Sequence, residues 1–235
     1  MIHKAFILAG GKGERLRPLT DETPKPMLEV SGKPILQHAI DWLEYHGVQE
    51  IVLGVGYQHE KIMHYFGNGR PSGARITYSV EGKPLGTGGA VKAAQEMLGK
   101  EPFIMLNGDN LMDVDYRKMA AVHEKNKALA TIALVEVKDV TGYGVARLQG
   151  EKITEFVEKP APGLEPSKRI NAGCYVLEPK ALDFIPDGFS LIEKTAFPAL
   201  AKKGRLYAFS HVGQWFPTDD PPKWEAAKKA WKPPV

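Results

Sequence analysis

Short apolar runs and helical patterns alternate along the first half of the chain, and this alternation limits the folds open to it. The runs are rich in β-branched and aromatic residues, and the segments between them carry apolar residues every three to four positions. The sequence predicts strands at residues 5–9, 51–55 and 76–80 and helices at 35–45 and 60–66. This order is typical of βαβ units on a mostly parallel sheet. We therefore expect an α/β fold.

The second half of the chain has a different pattern. After residue 115, strands are predicted at 130–137, 144–148, 152–158 and 172–177, joined by turns, which indicates a mixed sheet. The Pro-rich loop at 160–166 does not require a domain boundary, and no hexapeptide repeat predicts a β-helix extension. We expect a single domain over residues 1–235, with one binding part at about 1–115 and another at about 116–235.

The amino-acid composition limits which binding partners and which cellular compartment are expected. The 31 Lys and Arg residues nearly balance 28 Asp and Glu residues, so no basic excess favours nucleic acid. The longest apolar stretch, residues 128–137, is too short for a membrane-spanning helix. The single Cys174 excludes an internal disulfide and is expected to pack on a strand. We expect a cytoplasmic protein that binds neither nucleic acid nor membrane.

The predicted strand at residues 5–9 runs directly into the glycine-rich sequence GGKGERLRPLT. Successive amides in such a loop can cradle phosphate oxygens, and Lys12, Arg15 and Arg17 add positive charge beside them. The spacing fits neither a Walker loop nor the dinucleotide fingerprint. The loop therefore indicates a phosphate site, with a simple turn as the alternative.

Two further residues have side chains suited to phosphate chemistry. Lys25 stands between prolines in TPKPM, where a rigid chain would hold its ammonium group in a fixed place. The alternative is a solvated lysine in an extended connector. Asp109 follows a predicted strand at 103–106, at the edge where ligands collect in open α/β sheets. Its alternative is an ordinary turn residue, since Asn-Gly-Asp favours turns.

The motifs GGKGERLRPLTDETPKPM, PLGTGGAV, LNGD, YGVA, FVEKP and INAGCYVL occur in the order found in sugar-1-phosphate nucleotidyltransferases, also called nucleotide-sugar pyrophosphorylases. The chain resembles this family over most of its length, and residues 190–198 with Gly213 and Trp215 are similar to the mannose-1-phosphate guanylyltransferase subgroup. The resemblance implies a Rossmann-like, glycosyltransferase A-type mixed sheet flanked by helices. It also implies Mg²⁺ as cofactor, and a nucleoside triphosphate and a sugar 1-phosphate as substrates.

The resemblance also implies roles for individual residues. Arg15 would grip the triphosphate, Lys25 would stabilise charge at the α-phosphorus, and Asp109 would hold Mg²⁺. The residues expected to bind the nucleotide are Leu8, Ala9, Gly10, Gly11, Gly13, Glu81, Leu85, Gly86 and Gly88. Those expected to bind the sugar phosphate are Gly144, Glu158, Lys159, Asn171 and Gly173. Family members commonly form dimers or tetramers, so the resemblance also allows a homo-oligomer.

Glu81 bears on the choice of base. A carboxylate can accept two hydrogen bonds from the N1–H and amino edge of guanine, which favours GTP, although an exposed glutamate at a strand end needs no ligand. Mannose 1-phosphate is the sugar substrate expected from the subgroup. UTP or dTTP with glucose 1-phosphate, and GTP with a heptose 1-phosphate, remain alternatives within the same reaction class.

One departure from the family pattern affects the metal site. Family members place a metal-binding Asp two residues after a Trp. In this chain the residue two positions after Trp215 is Pro217, which has no side-chain metal ligand. Asp219 or Asp220 would then replace the missing ligand, although both residues also suit the N-cap of the helix predicted at 222–231. The departure keeps open a non-catalytic regulatory subunit that binds nucleotide sugars. A glycosyltransferase that uses a finished nucleotide sugar is disfavoured by the glycine-rich loop.

Overall fold

The computed structural model describes residues 2–69 and 73–234. Its strands are β1 (Lys4–Leu8), β2 (Glu29–Val30), β3 (Lys33–Pro34), β4 (Glu50–Val55), β5 (Arg75–Val80), β6 (Phe103–Asn107), β7 (Asn110–Met112), β8 (Ala130–Glu136), β9 (Gly144–Gln149), β10 (Lys152–Glu158), β11 (Arg169–Leu177), β12 (Leu206–Ser210) and β13 (Trp215–Pro217). Its helices are α1 (Leu19–Glu22), α2 (Ile35–Tyr45), α3 (His59–Phe66), α4 (Gly86–Ala93), α5 (Gln95–Leu98), α6 (Tyr116–Lys125), α7 (Ala196–Lys202) and α8 (Pro221–Ala230). None of these helices combines the length and hydropathy needed to cross a membrane.

The described residues form two compact units. The first unit comprises His3–Pro84, Leu106–Asp113 and Gly213–Val235, and the second comprises Met1–Ile2, Leu85–Met105 and Val114–Val212. Strand β6 crosses from one unit to the other along the chain. The first unit thus includes the C-terminal segment, and the second includes Leu85–Met105, while the two binding parts predicted on either side of residue 115 stay a prediction.

The first unit contains a parallel set of strands in the order β5–β4–β1. Strand β1 pairs with β4 from Lys4↔Glu50 to Leu8↔Gly54, and β4 pairs with β5 along its whole length. The connecting helix α2 buries Ile35, Leu36, Ile40 and Leu43, which lie on one face at helical spacing. The predicted parallel βαβ arrangement is confirmed here.

A second core in the first unit holds the C-terminal helix. Its buried members are Leu16, Leu28, Val30, Ile35, Leu111, Ala227 and Trp231, and Phe216 and Trp224 pack against them. The indole nitrogen of Trp231 also contacts His38 Nδ1 at 3.4 Å. The apolar stripe on α8 is therefore docked on this core, and it fixes the segment that leads from β13 into the helix.

The second unit carries a mixed sheet in the order β11–β8–β12–β10–β9. Strand β8 runs antiparallel to β11 and parallel to β12, while β10 runs antiparallel to both β12 and β9. Phe197 of α7 packs edge to face on Phe156 and stacks at a tilt on Tyr175. Cys174 is buried in β11, as predicted, and burial raises its pKa to about 12. The mixed α/β class predicted from the sequence is confirmed.

We predict that Trp231→Ala destabilises the protein by about 3–5 kcal/mol, because it leaves a cavity where the indole closes the second core of the first unit. Trp231→Phe keeps an aromatic ring, so its free energy of unfolding should fall by clearly less. Urea unfolding followed by fluorescence and circular dichroism measures both changes. Equal losses for the two variants would contradict a packing role for the indole.

Candidate functional site

The glycine-rich loop begins where β1 ends in the first unit. Ala9 N donates to Gly54 O at 2.8 Å, and Tyr57 N donates to Gly10 O at 3.2 Å, so β4 and the loop after it fix the start of the turn. A Cβ on Gly10 would lie 3.1 Å from both Gly56 N and the Glu81 carboxylate. A Cβ on Gly11 would meet nothing within 4 Å. Gly10 therefore allows close backbone packing, whereas Gly11 faces open space.

Gly13 turns the loop back toward Lys25. Its φ of 63° favours glycine, and a Cβ there would lie 2.9 Å from Lys25 Cβ. Gly13 O accepts from Leu16 N and from the buried Thr20 hydroxyl, each at 2.9 Å. Within residues 2–69 and 73–234, no hydrogen bond of the protein uses the amides of Gly11 or Gly13. Their N–H groups are therefore available to donate to phosphate oxygens, as a phosphate cradle requires. The cradle itself stays a prediction.

Four charged side chains of the first unit meet beside this loop, and we call them the Lys25 cluster. Lys25 Nζ lies 2.7 Å from Asp109 Oδ2 and 3.2 Å from Asp219 Oδ1. Arg15 reaches Asp219 Oδ1 at 3.4 Å. The Lys25 side chain is 9% exposed, whereas the Arg15 side chain is 69% exposed. The cluster thus joins a buried cation and two carboxylates to a cation that reaches into solvent.

Electrostatics keep the buried members of the Lys25 cluster charged. Burial opposes the Lys25 ammonium, but the charges and hydrogen bonds of Asp109 and Asp219 outweigh it, so the Lys25 pKa lies above its ordinary value. Burial likewise opposes ionisation of Asp219, and the positive charges of Lys25, Arg15 and Lys223 outweigh it, which lowers the Asp219 pKa. Lys25 and Asp219 are both ionised at neutral pH.

The backbone explains how Lys25 is held in place. Residues Lys25–Met27 form a short 3₁₀ turn, with Met27 N donating to Pro24 O at 2.7 Å and Leu28 N donating to Lys25 O at 3.1 Å. Both flanking prolines are buried. The alternative of a solvated lysine in an extended connector is therefore wrong.

Asp109 is positioned by the turn between β6 and β7. Gly108 N donates to Leu8 O at 2.9 Å, and a Cβ on Gly108 would lie 2.6 Å from that oxygen. The absence of a side chain at Gly108 lets the turn approach the end of β1, and the Asp109 carboxylate then reaches Lys25. The Asn-Gly-Asp turn is thus confirmed as a turn, and the functional role of Asp109 stays a prediction.

The structure separates Asp219 from Asp220. Pro217 lies in β13 opposite Asn110, and two residues later Asp219 enters the Lys25 cluster. Asp220 instead accepts from Lys223 N at 3.0 Å and caps α8. Thr218, which the sequence analysis did not select, is fully buried and donates its hydroxyl to Asp109 O at 2.7 Å. The chain segments that carry both carboxylates are thus bonded to each other.

Metal-binding capacity in the first unit rests on Asp109 and Asp219. In the described part of the chain, no group of three His, Cys, Asp or Glu side chains forms a complete protein cage for a metal ion. Mg²⁺ is usually held by one or two carboxylates, with substrate phosphates and water completing its shell. The donor set therefore suits Mg²⁺ that is held jointly with a phosphate ligand.

Glu81 follows β5 and lies beside the start of the glycine-rich loop. Its amide donates to Val55 O at 2.8 Å, and its carboxylate lies 3.1 Å from the Cβ position of Gly10. The side chain is partly buried, so it is not the exposed strand-end glutamate of the alternative interpretation. Its role in reading a base stays a prediction.

The loop of Leu85, Gly86 and Gly88 lies in the second unit, and packing against Ser190 explains its glycines. Ser190 N donates to Leu85 O at 2.8 Å, and Ser190 O accepts from Gly88 N at 2.8 Å and Gly89 N at 3.1 Å. A Cβ on Gly86 would lie 2.5 Å from Ser190 O. The Gly88 amide is thus used inside the protein, and the nucleotide-binding role expected for this loop stays a prediction.

Gly144 and Glu158 are cross-strand partners on β9 and β10 in the second unit. A Cβ on Gly144 would lie 2.7 Å from Glu158 Oε2, so glycine there leaves room for the carboxylate. Lys159 has a φ of 49°, its side chain is 64% exposed, and its Nζ lies 3.7 Å from Glu158 Oε1. The structure therefore brings these sequence-predicted residues together.

A bulge in β11 positions Asn171. The strand register shifts between Asn171 and Tyr175, and Gly173 within the bulge has a φ of 84°. Gly173 N donates to Asn171 Oδ1 at 2.9 Å, and Asn171 Nδ2 donates to the Tyr175 hydroxyl at 2.8 Å. Because an amide nitrogen carries two hydrogens, the held Asn171 side chain retains a donor for a ligand.

Glu193 is a buried carboxyl group that the sequence analysis did not select. The Thr87 hydroxyl donates to Glu193 Oε2 at 2.5 Å. Burial raises the pKa of Glu193, and burial together with the Glu193 charge raises the pKa of Glu158. The similarity of residues 190–198 to one subgroup was the available signal, but it did not single out this residue.

Comparison with known proteins adds family relationships to this geometry. The family model described as "Nucleotidyl transferase" matches residues 4–229. Mannose-1-phosphate guanyltransferase of Yarrowia lipolytica is 42% identical over 223 residues, which is 93% of this chain and 61% of that protein. The Candida albicans protein of the same name is 39% identical over 224 residues, again 93% of this chain and 61% of the relative. The chain spans about three fifths of the length of these relatives.

Solved structures share the fold. A Bacillus anthracis protein in complex with sucrose has a TM-score of 0.88 at 28% identity, covering 96% of this chain and 94% of its own. HddC from Yersinia pseudotuberculosis, complexed with GMP-PN, has a TM-score of 0.80 at 30% identity and covers 97% and 99%. An apo UDP-glucose pyrophosphorylase has a TM-score of 0.82 at 25% identity, with 97% coverage of both chains. The predicted Rossmann-like fold class is confirmed.

The neighbouring acids Asp219 and Asp220 provide a matched test of the Lys25 cluster. Asp219→Asn removes a charged hydrogen-bond partner of Lys25 and should destabilise the protein by about 1–3 kcal/mol at pH 7. Asp220→Asn should cost less than about 0.5 kcal/mol, because Asn caps helices as well as Asp. Urea unfolding measures both, and equal stabilities would contradict the assignment.

The same variants give a pH dependence. In the folded protein the pKa of Asp219 lies below the ordinary aspartate value of 3.8, so its stabilisation is present above that pH and is lost as the pH falls through the folded pKa. The stability difference between wild type and Asp219→Asn should therefore shrink below pH 3.8. A difference that stays constant from pH 7 downwards would show that the charge of Asp219 is not responsible.

Proposed function

Because the chain belongs to the nucleotidyl transferase family, we propose that it transfers a nucleoside monophosphate from a nucleoside triphosphate to a sugar 1-phosphate. The products are pyrophosphate and a nucleoside diphosphate sugar. GTP and mannose 1-phosphate are the proposed substrates, in keeping with relatives named mannose-1-phosphate guanyltransferase. The observation that carries the proposal is the Lys25 cluster, in which a buried ammonium group is held between two carboxylates beside a glycine-rich loop.

The Lys25 cluster suits transfer at the α-phosphorus. In this reaction an oxygen of the sugar phosphate forms a bond to the α-phosphorus while the bond to the bridging oxygen of pyrophosphate breaks. The attacking phosphate is already ionised, so no protein base is needed to remove a proton. Such transfers depend on aligned reactants and on counter-charge at the equatorial and leaving oxygens. Lys25 supplies a fixed positive charge, and the exposed Arg15 side chain supplies a second one.

We propose Asp109 and Asp219 as the residues that hold Mg²⁺, with Asp220 as a helix cap. Mg²⁺ would supply further counter-charge on the phosphate oxygens. The alternative of a non-catalytic regulatory subunit depended on the loss of a carboxylate at Pro217. Because Asp219 brings a carboxylate to Lys25 from two residues further along, that observation no longer favours the alternative.

Substrate choice is assigned to residues of both units. In the first unit, Glu81 would accept hydrogen bonds from the guanine edge beside Gly10. In the second, the exposed Lys159 ammonium group would pair with the sugar phosphate, and the remaining donor of Asn171 would contact a hydroxyl. HddC, which is solved with the guanine nucleotide analogue GMP-PN, supports a guanine nucleotide. UTP with glucose 1-phosphate remains the second candidate, since a structural neighbour is a UDP-glucose pyrophosphorylase.

A coupled pyrophosphate-release assay tests the proposal. The purified chain is incubated with Mg²⁺, one of GTP, ATP, UTP, CTP or dTTP, and one of mannose, glucose or heptose 1-phosphate. We expect the highest kcat/KM with GTP and mannose 1-phosphate. A higher value with UTP and glucose 1-phosphate would replace the substrate pair, and no pyrophosphate from any pair would reject the enzyme hypothesis.

Variants of the proposed metal ligands test the assignment of residues. Asp109→Ala and Asp219→Ala should each lower kcat by about 100-fold, because each removes charge that organises the phosphates. Asp220→Asn is the control and should stay within about twofold of wild type, since the cap is preserved. The assay is repeated over a Mg²⁺ titration. Full activity in Asp219→Ala would reject Asp219 as the replacement for the carboxylate missing at Pro217.

A further inference from the structure

Glu193 is fixed in the second unit by a hydrogen bond whose direction is set by its surroundings. The Thr87 hydroxyl oxygen accepts from Ile192 N at 3.1 Å, and the same hydroxyl lies 2.5 Å from Glu193 Oε2. An ionised carboxylate only accepts, so the hydroxyl hydrogen points at Glu193. The residue is 8% exposed, which leaves its side chain little freedom to adopt another rotamer.

The segment that carries Glu193 is bonded to the loop that carries Thr87. Ser190 O accepts from the amides of Gly88 and Gly89, and Ser190 N donates to Leu85 O. Because both backbone groups of Ser190 are used, the segment and the start of α4 form one rigid element. The Glu193 carboxylate is therefore placed by tertiary structure and not by a flexible loop.

Glu193 lies close enough to Glu158 for its charge to raise the pKa of Glu158. The charges of both glutamates also act on Tyr175, whose hydroxyl accepts from Asn171. The cations that act on Glu158 are Lys159 and Lys194, and the Lys159 Nζ lies 3.7 Å from Glu158 Oε1 on a side chain that is 64% exposed. Burial raises the pKa of Glu193 and outweighs the opposing effects of the Thr87 hydroxyl, the Glu193 backbone and the Lys159 charge. The two carboxylates are largely removed from water, and their charges act on each other, so they carry a desolvation cost that the hydroxyl donors of a ligand would offset.

We propose that Glu193 is a specificity-determining residue that accepts, together with Glu158, hydrogen bonds from ring hydroxyls of the sugar 1-phosphate. The inference rests on the proposed function for the identity of the ligand. Two carboxylates carried by different segments of the second unit offer acceptors from two directions, so they would distinguish ring hydroxyls by their orientation. A wrong epimer leaves one buried acceptor without a donor, which penalises its binding. Thr87 acts as a positioning residue, because it holds the Glu193 carboxylate in place and is not itself proposed to contact the sugar.

Calorimetry of the full chain with mannose 1-phosphate and glucose 1-phosphate tests this inference without requiring turnover. Glu193→Gln keeps the shape of the side chain but replaces one acceptor oxygen with an amide donor. It should weaken binding of the preferred sugar 1-phosphate by about 10-fold or more, since hydrogen bonds to ionised groups are the strong ones. Discrimination between the two epimers should fall with it. Affinity for GTP, titrated separately, should stay within about twofold, as expected for independent sites.

Thr87 provides a matched pair of variants. Thr87→Val removes the hydroxyl at constant shape and should weaken sugar binding in the same direction as Glu193→Gln, whereas Thr87→Ser keeps the hydroxyl and should bind like wild type. Glu178→Gln is the control for loss of a carboxylate elsewhere in the second unit, where Glu178 lies 3.5 Å from His123, and it should leave both affinities unchanged.

The outcomes separate the inference from the proposed function. If wild type binds a sugar 1-phosphate and Glu193→Gln weakens it, the inference stands even without pyrophosphate release, which rejects only the proposed reaction. If wild type turns over and Glu193→Gln and Thr87→Val keep its sugar affinity and epimer preference, the inference is overturned alone. Equal loss of sugar and GTP affinity would also overturn it, because that pattern indicates a general structural role.

Discussion

The ammonium group of Lys25, held between Asp109 and Asp219, is the interaction on which the geometry of the first unit depends. Its partners lie 84 and 194 positions away in the sequence. Several local features are needed to bring them together. Gly108 lets its turn approach Leu8 O, Gly13 leaves space beside Lys25 Cβ, and docking of α8 fixes the segment that carries Asp219. Each of these features is an ordinary piece of local structure. Together they bring the charges of Lys25, Asp109 and Asp219 to one place.

Stability does not explain why these charges are retained. A buried ion pair repays little more than the desolvation of its members, and well-packed apolar residues often stabilise a fold as much. The Lys25 pKa is raised and the Asp219 pKa is lowered, so both groups remain ionised through the neutral range. The arrangement keeps a fixed positive charge next to fixed negative charges at the end of a strand. Such preorganised charge is what transfer between phosphates requires.

The sequence predicted the elements that depend on local periodicity and missed those that depend on tertiary contacts. Helix α2 was predicted with its observed bounds, and β10 likewise, because their patterns are complete within one segment. The 3₁₀ turn at Lys25 and the pairing of β13 with β7 have no comparable local pattern. The choice between Asp219 and Asp220 also required the fold, since both precede a helix and only contacts with Lys25 distinguish them. Glu193 was missed for the same reason: its partner Thr87 lies 106 positions away.

The glycines show why a motif alone overstates what binds a ligand. Gly11 has open space where a side chain would be, and its amide is unused within the described residues. Gly88 and Gly89 belong to an equally glycine-rich motif, yet their amides bond Ser190 O, and a Cβ on Gly89 would lie 2.1 Å from Gly188 O. Gly89 is required by close approach of the chain itself, whereas the open space at Gly11 leaves room for a ligand. A sequence motif therefore records where glycine is needed, but not whether the chain itself or a ligand causes the need.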